Sequence, residues 1–209
     1  MMDPVGNETL LHLPQIVACL RMGGVVAVPT DTVYGLAVLP NQTSAIERLY
    51  VLKKRPRTKA LPVMVANTEQ VTGLGVITSL AIEQLLDSPF LPGALTIVAA
   101  IDPLRCPDWL RGRYEVAFRI PNSRLLLEVM AQVGPLLVTS ANLAGAPTPK
   151  TVSGVLAQLT GAPDLVVEDE TGAEIASTLV NCSQNSVRIE RVGVISVAEL
   201  SKWVAVKHG

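Results

Sequence analysis

Short apolar runs alternate with segments of helical periodicity along most of this chain. A short apolar run bounded by turn residues is typical of a buried strand. The stretch Val25–Val28, for example, follows two glycines and ends at Pro29. On this pattern we predict strands at residues 25–28, 61–65, 95–101, 116–120, 136–139, 165–167, 179–181 and 187–189.

Helical segments are marked by apolar residues at positions i, i+3, i+4 and i+7. Two candidate capping boxes, Ser44 with Glu47 and Ser196 with Glu199, point to helix starts. We predict helices at residues 45–52, 126–133, 152–159 and 196–204.

The alternation of the two element types predicts an α/β fold with helices flanking a twisted sheet. The late strands are too closely spaced for each pair to carry a crossover helix, so some neighbours must be antiparallel and the sheet must be mixed. Neither a repeat nor a low-complexity linker interrupts the chain. We therefore expect residues 1–209 to form a single domain, with its core between about residues 13 and 200.

The composition excludes several classes of protein. With 49% hydrophobic residues, the 209-residue chain has enough apolar surface to bury a core, so a disordered chain is excluded. The longest apolar run, residues 95–101, is too short to span a bilayer. We expect a soluble cytoplasmic protein that makes no contact with a membrane.

Histidine and cysteine usage excludes further chemistry. His12 and His208 lie near the two ends of the chain, which argues against a Ser–His–Asp triad or a histidine-ligated metal. Cys19, Cys106 and Cys182 are far apart and form no CxxC, which argues against a zinc ribbon or a redox pair. We predict buried free cysteines and no protein metal site.

The net charge of −1 conceals a local excess of cations. Residues 53–59 contain five cations and no acid; subtracting the five from 17 basic residues leaves 12 against 18 acidic ones. A cationic spot on an otherwise acidic chain suggests a local anion site. The alternative is a solvated helix end, with cations near the negative pole of the helix dipole.

Two segments place small polar residues directly after predicted strands. Residues 29–36 read PTDTVYGL, and residues 139–142 read TSAN ahead of the helix near Thr151. Hydroxyl groups and backbone N–H groups at such positions bind anions, although ordinary turns use the same residues.

Taken together, these segments resemble the YrdC-like family. The resemblance covers residues 13–200, and its motifs stand in the order seen in that family. They are PTDTVYGL (29–36), KKR (53–55), LPGALT (91–96), AFRIP (117–121), SAN (140–142), ST (177–178) and RVG (191–193). The chain looks like the short, single-domain form, without the linker and accessory domain of longer relatives.

The resemblance implies a threonylcarbamoyl-AMP synthase. Such an enzyme uses L-threonine, bicarbonate or CO2, and ATP to form threonylcarbamoyl-AMP and pyrophosphate, for N6-threonylcarbamoyladenosine in tRNA. Mg²⁺ would be held by the phosphates of ATP. The implied partners include tRNA and a downstream threonylcarbamoyl transferase.

The resemblance also assigns roles to individual residues. It places the threonine at Thr32, Met64, Arg119, Val138 and Ser177. It places the ATP at Arg55, Lys59, Glu115, Ser140, Thr148 and Arg191. The catalytic group would be Lys53, Arg55, Ser140 and Asn142. A rigid guanidinium such as that of Arg119 suits a carboxylate, and clustered cations suit a triphosphate.

Two alternatives stay open from the sequence. The basic run is compatible with a module that binds tRNA or double-stranded RNA, although aromatic residues for base stacking are scarce at 3%. A divergent relative that adenylates another carbamate is the second alternative. Met64 motivates it, because many relatives carry a polar histidine at that position.

Overall fold

Ten strands form one mixed sheet in the computed structural model, which describes residues 10–168, 175–184 and 186–207. Their order across the sheet is β10-β9-β8-β4-β5-β3-β6-β2-β1-β7. The strands are β1 (Val26–Val28), β2 (Gly35–Val38), β3 (Val63–Met64), β4 (Leu95–Ala100), β5 (Glu115–Arg119), β6 (Leu136–Ser140), β7 (Leu165–Val166), β8 (Thr178–Asn181), β9 (Val187–Arg191) and β10 (Val206–Lys207).

Seven α-helices and one short 3₁₀ turn, Asp108–Leu110, connect these strands within the described ranges. The helices are α1 (Leu13–Arg21), α2 (Thr43–Leu52), α3 (Thr68–Gly73), α4 (Leu80–Leu86), α5 (Arg124–Val133), α6 (Val152–Gln158) and α7 (Val197–Leu200).

The mixed sheet and the eight predicted strands are confirmed, with ends that shift by one or two residues. Antiparallel pairing between β8 and β9 confirms the argument from close spacing. The pattern did not predict β2, which pairs antiparallel with both β1 and β6, or the short edge strand β10. Helices α1, α3 and α4 were also missed, because their apolar faces are short.

The two capping predictions have different outcomes. Ser196 and Glu199 form a capping box, although α7 ends at Leu200 and so is shorter than predicted. The box at Ser44 is wrong, because α2 begins at Thr43, two residues earlier than predicted, and its N-cap residue Gln42 provides no side-chain cap. Glu47 instead forms an ion pair with Arg57, which lies in the loop after the helix.

One face of the sheet is covered by helices across most of its width. Residues of α2, α3, α4, α6 and α7 pack there against alternate strand residues such as Leu95, Ile97 and Phe118, all fully buried. The alternation follows from the period of two along a strand, which sends neighbouring side chains to opposite faces.

The second face is covered over only part of its width. Helices α1 and α5 pack there against strands β1, β2, β3 and β6, through residues such as Ile16, Val129 and Val138. Over β4, β5 and β8 the corresponding residues, Val98 and Ala117 among them, line an open cavity instead. The site therefore begins where this helical layer ends.

The remaining predictions from composition concern cysteines and membranes. Cys106 and Cys182 are buried and Cys19 is partly buried, and all three are free thiols. Among the residues that the structure describes, no helix is long and apolar enough to cross a membrane. His208 lies outside the described residues.

A close approach of two backbone segments fixes the end of β8 against the segment after β9. The hydroxyl of Thr178 donates to the carbonyl of Ile195 at 2.7 Å and accepts from the N–H of Gly193 at 2.9 Å. A Cβ on Gly193 would lie 2.1 Å from the carbonyl oxygen of Ala176. Glycine is required here by space, since that oxygen belongs to the backbone.

We predict that Gly193→Ala lowers the free energy of unfolding by about 2–3 kcal/mol, because overpacking at a rigid contact forces the backbone to move. Urea denaturation measures this change. Gly73→Ala is the matched control, since nothing lies within 4 Å of its Cβ position and Ala is the better helix former. Equal stability of the two variants would contradict the prediction.

Candidate active site

The uncovered part of the second face forms a cavity of about 300 Å³. It crosses the sheet from β9 to β2, and polar side chains from all seven sequence motifs reach it. Its polar lining residues are Thr30, Thr32, Tyr34, Arg55, Thr96, Thr139, Ser140, Ser177, Glu190 and Arg191, together with Arg119.

Arg119 lies at the end of β5 and is only 5% exposed. Its Nε donates to the carbonyl of Gly93 at 2.8 Å, and its Nη1 donates to Oγ1 of Thr32 at 2.8 Å. Its Nη2 lies 2.7 Å from Oδ1 of Asp31 in a buried ion pair. This contact does not have hydrogen-bond geometry, and neither Nη2 nor Oδ1 has a hydrogen-bond partner among the described residues.

These contacts fix the Arg119 guanidinium at the wall of the cavity. A guanidinium has five N–H groups; here Nε donates to Gly93, Nη1 donates to Thr32, and Nη2 is a buried atom against Asp31. Burial lowers the pKa of Arg119, and the charge of Asp31 acts in the opposite direction. A fixed guanidinium at a cavity wall is a suitable partner for a carboxylate.

A second guanidinium reaches the cavity from β9. Arg191 donates from Nε and Nη2 to the carbonyl of Ser177, at 3.1 and 2.9 Å. The Ser177 hydroxyl lies 2.7 Å from the hydroxyl of Thr96. Burial, followed by repulsion from Arg119, lowers the pKa of Arg191. An anion bound between the two cations would relieve that repulsion.

Lys53 lies behind the cavity wall and is 2% exposed. Its ammonium donates to the carbonyls of Ser140 and Asn142 and lies 3.4 Å from Oδ1 of Asn142. The carbonyl of Lys53 accepts from the N–H of Ala144 at 3.0 Å. The end of α2 therefore holds the loop after β6 in place through both side chain and backbone.

The loop after β6 is closed by its own side chains as well. The hydroxyl of Ser140 donates to Oδ1 of Asn142 at 2.5 Å, and Nδ2 of Asn142 donates to the carbonyls of Leu143 and Ala146. All polar atoms of the Asn142 amide are thus engaged within the loop. Asn142 shapes the loop, while Ser140 lines the cavity.

Arg55 holds the basic loop that follows α2. Its Nε donates to the carbonyl of Lys59 at 3.0 Å, and its Nη2 donates to the carbonyl of Ala60 at 2.8 Å. The helix ends at Leu52, so the basic run starts at its C-cap and continues as a loop. Arg55 lines the cavity, whereas Arg57 pairs with Glu47 and stacks over Tyr50.

Similarity to known sequences and structures identifies the family of this chain. The profile of the Sua5/YciO/YrdC family, which carries the description "Telomere recombination", matches residues 18–193. The chain belongs to this family.

Two curated family members are similar over most of this chain. Threonylcarbamoyl-AMP synthase from Enterobacter sp. (strain 638) is 37% identical over 81% of this chain and 90% of its own length. Threonylcarbamoyl-AMP synthase from Bacillus subtilis (strain 168) is 33% identical over 98% of this chain, which spans only 60% of that relative.

Solved structures of the family share the fold. P. abyssi Sua5 complexed with L-threonine superposes with a TM-score of 0.83 at 26% identity, over 94% of this chain and 59% of that one. E. coli YciO superposes with a TM-score of 0.79 at 21% identity, over 95% of both chains.

Eight of the thirteen residues that the family resemblance singles out line the cavity. They are Thr32, Arg55, Met64, Arg119, Val138, Ser140, Ser177 and Arg191. Five others do not line it: Lys53, Lys59, Glu115, Asn142 and Thr148. Lys53 and Asn142 lie directly behind the wall, where both contact Ser140. Their predicted catalytic role remains a prediction.

The other three residues outside the lining differ in their position. Lys59 contributes its carbonyl to Arg55. Glu115 lies at the exposed start of β5, on the same face as Ala117 and Arg119 but four residues before the latter. Thr148 lies in the loop between β6 and α6. Their predicted contacts with ATP remain predictions.

Several polar residues of the site were given no role from the sequence, and Asp31, Thr96 and Glu190 are the most informative of them. Asp31 lies inside the PTDTVYGL motif, and its role becomes visible only because it forms an ion pair with Arg119. Thr96 ends the LPGALT motif, a signal that was present but not interpreted. Glu190 lines the cavity, and it belongs to none of the quoted motifs.

The pH dependence of stability tests the burial of Lys53. Burial, followed by repulsion from Arg55, lowers its pKa from 10.5 to about 8. Below pH 8 the lysine is charged in both the folded and unfolded states, and the folded state is destabilised by the full free-energy cost of burying that charge. Between pH 8 and 10.5 only the unfolded state keeps the proton, so this cost is relieved as the pH rises.

We predict that wild type gains up to about 3 kcal/mol of stability relative to Lys53→Met between pH 7.5 and 10.5. Urea denaturation at a series of pH values measures the difference. Because tyrosines and cysteines titrate in both proteins, their contributions to the pH dependence of stability cancel in the difference between wild type and Lys53→Met. A difference that does not change with pH would contradict the assigned burial.

Proposed function

We propose that this chain forms L-threonylcarbamoyl-AMP and pyrophosphate from L-threonine, bicarbonate or CO2, and ATP. The observation that carries the proposal is the pair of anchored guanidiniums, Arg119 and Arg191, each beside a hydroxyl residue in one cavity. Such a cavity suits two anionic substrates that must meet. The curated relatives named threonylcarbamoyl-AMP synthase support the same reaction.

The amino acid binds at Arg119 in this proposal. The charge of the fixed Arg119 guanidinium attracts the carboxylate, and Thr32, whose Oγ1 lies 2.8 Å from Nη1 of Arg119, offers its hydroxyl. Met64 and Val138 supply an apolar wall for the threonine methyl group. The threonine complex of the P. abyssi relative supports an amino-acid site in this fold.

The reaction follows in two steps. The neutral amine of threonine adds to CO2 and loses a proton, which gives a carbamate. A carbamate oxygen then attacks the α-phosphorus of ATP, a P–O bond forms, and the bond to pyrophosphate breaks. Holding the two anions in contact provides the rate enhancement, since well-oriented reactions gain roughly 7–11 kcal/mol in this way.

The chain's own groups serve this attack by position and charge. Arg55 and Arg191 face the phosphates and stabilise the charge that develops on them. Lys53 acts indirectly, by holding the Ser140–Asn142 loop against the cavity. Within the described residues no three His, Cys, Asp or Glu side chains come together to hold a metal, so Mg²⁺ would travel with the ATP phosphates.

The product is a reactive mixed anhydride, and the proposal extends to its use. A downstream transferase would pass the threonylcarbamoyl group to an adenosine of tRNA.

Substitutions at the two guanidiniums should separate the substrates. Arg119→Lys keeps the charge opposite Asp31 but loses the fork, so we predict that the KM for threonine rises about 10- to 100-fold with little change in the KM for ATP. Arg55→Ala should raise the KM for ATP by a similar factor. Pyrophosphate release measured against each substrate gives both constants.

Arg57→Ala is the matched control, because Arg57 is an exposed cation two residues from Arg55 whose partners are Glu47 and Tyr50. Its KM values should stay within about threefold of wild type. Thermal unfolding of every variant verifies that each is folded. The division of roles is wrong if both site variants weaken both substrates equally.

A further inference from the structure

A β-bulge in β9 places one additional charged residue in the cavity. Leu179 of β8 lies opposite Arg191, while the next residue, Val180, lies opposite Ile189. Glu190 is therefore the extra residue on β9. Consecutive strand residues normally point to opposite faces, and a bulge re-aims a side chain. As a result both Glu190 and Arg191 line the same cavity.

A fixed neighbour holds the Glu190 carboxylate in place. Asn181, which is 7% exposed, donates from Nδ2 to Oε1 of Glu190 at 2.7 Å. The Asn181 amide is itself oriented by Ser183, whose N–H and hydroxyl both donate to its Oδ1. The second oxygen of Glu190 accepts no hydrogen bond from any residue that the structure describes. It is an oriented acceptor without a protein partner.

The two charges of the bulge lie on opposite sides of an apolar surface. Arg191 contacts Ser177, while Glu190 contacts Asn181. Asn181 lies four residues after Ser177, which is roughly 13 Å along an extended strand. Leu179 lies between them, and Val98 and Ala117 continue the surface on the neighbouring strands. A ligand that fits here is anionic at one end, apolar in the middle and carries hydrogen-bond donors.

We propose that Glu190 accepts hydrogen bonds from the ribose hydroxyls of the nucleotide. This inference rests on the proposed function, because it takes the nucleotide to be ATP. With the phosphates at Arg191 and Arg55, the nucleoside extends over the apolar surface toward Glu190. An acidic side chain is a familiar acceptor for ribose hydroxyls in nucleotide-binding proteins.

The surroundings of Glu190 favour a sugar over a metal ion. Mg²⁺ requires octahedral oxygen ligands and retains several waters. The neighbours Leu179, Val98 and Ala117 offer no ligand, and Asn181 presents its N–H₂ group to the carboxylate. A hydroxyl that donates to the free oxygen fits this environment.

Isothermal titration calorimetry without threonine tests the inference directly. We expect wild type to bind ATP about tenfold more tightly than 2′-deoxyATP or 3′-deoxyATP, because a hydrogen bond to a charged group is lost. Glu190→Gln keeps one carbonyl oxygen to accept from Asn181 and replaces the second oxygen with an N–H₂ donor of similar shape. It should weaken ATP binding about tenfold and bind all three nucleotides with similar affinity.

Glu128→Gln, at an exposed position on α5, is the control and should keep the wild-type preference. The inference is overturned if Glu190→Gln still prefers ATP, or if it loses affinity for all three nucleotides equally with an altered Mg²⁺ dependence. It is also overturned if wild type does not discriminate among them. If discrimination is seen but no threonylcarbamoyl-AMP forms, the proposed function fails and the ribose contact stands.

Discussion

The buried guanidinium of Arg119 is the interaction on which the rest of the site depends. A buried cation is costly unless its N–H groups have partners, and the partners here come from two other motifs. Gly93 supplies a carbonyl from the segment before β4, and the segment before β2 supplies Thr32 and Asp31. Satisfying one arginine therefore brings three segments, distant in sequence, to a single point on the sheet.

Burial of cations also explains why the site favours anions. Lys53, Arg119 and Arg191 all lose solvation on folding, which lowers their pKa values, and Arg119 also repels Arg191. The helical layer of α1 and α5 ends before β5, so two of these cations meet an open cavity. Three guanidiniums, those of Arg55, Arg119 and Arg191, therefore line the same cavity.

Periodicity and motif order predicted most of the fold and eight of the residues in the cavity lining. Strand β2 was missed because it is only four residues long and directly follows the polar part of its motif. Gly35 nevertheless must pair closely with β6, since a Cβ there would lie 2.8 Å from Val138. The burial of Lys53 and the bulge at Glu190 depend on strand register and on long-range partners. Neither leaves a local signal in one sequence.

The most direct test of the account is mass spectrometry of the reaction with ¹³C-labelled bicarbonate, L-threonine and ATP. We predict an adenylate that contains threonine and one labelled carbon, formed in equal amount with pyrophosphate. Its mass should fall by one unit when unlabelled bicarbonate is used. An adenylate that carries threonine without the added carbon, or nucleotide binding with no adenylate at all, would contradict the account.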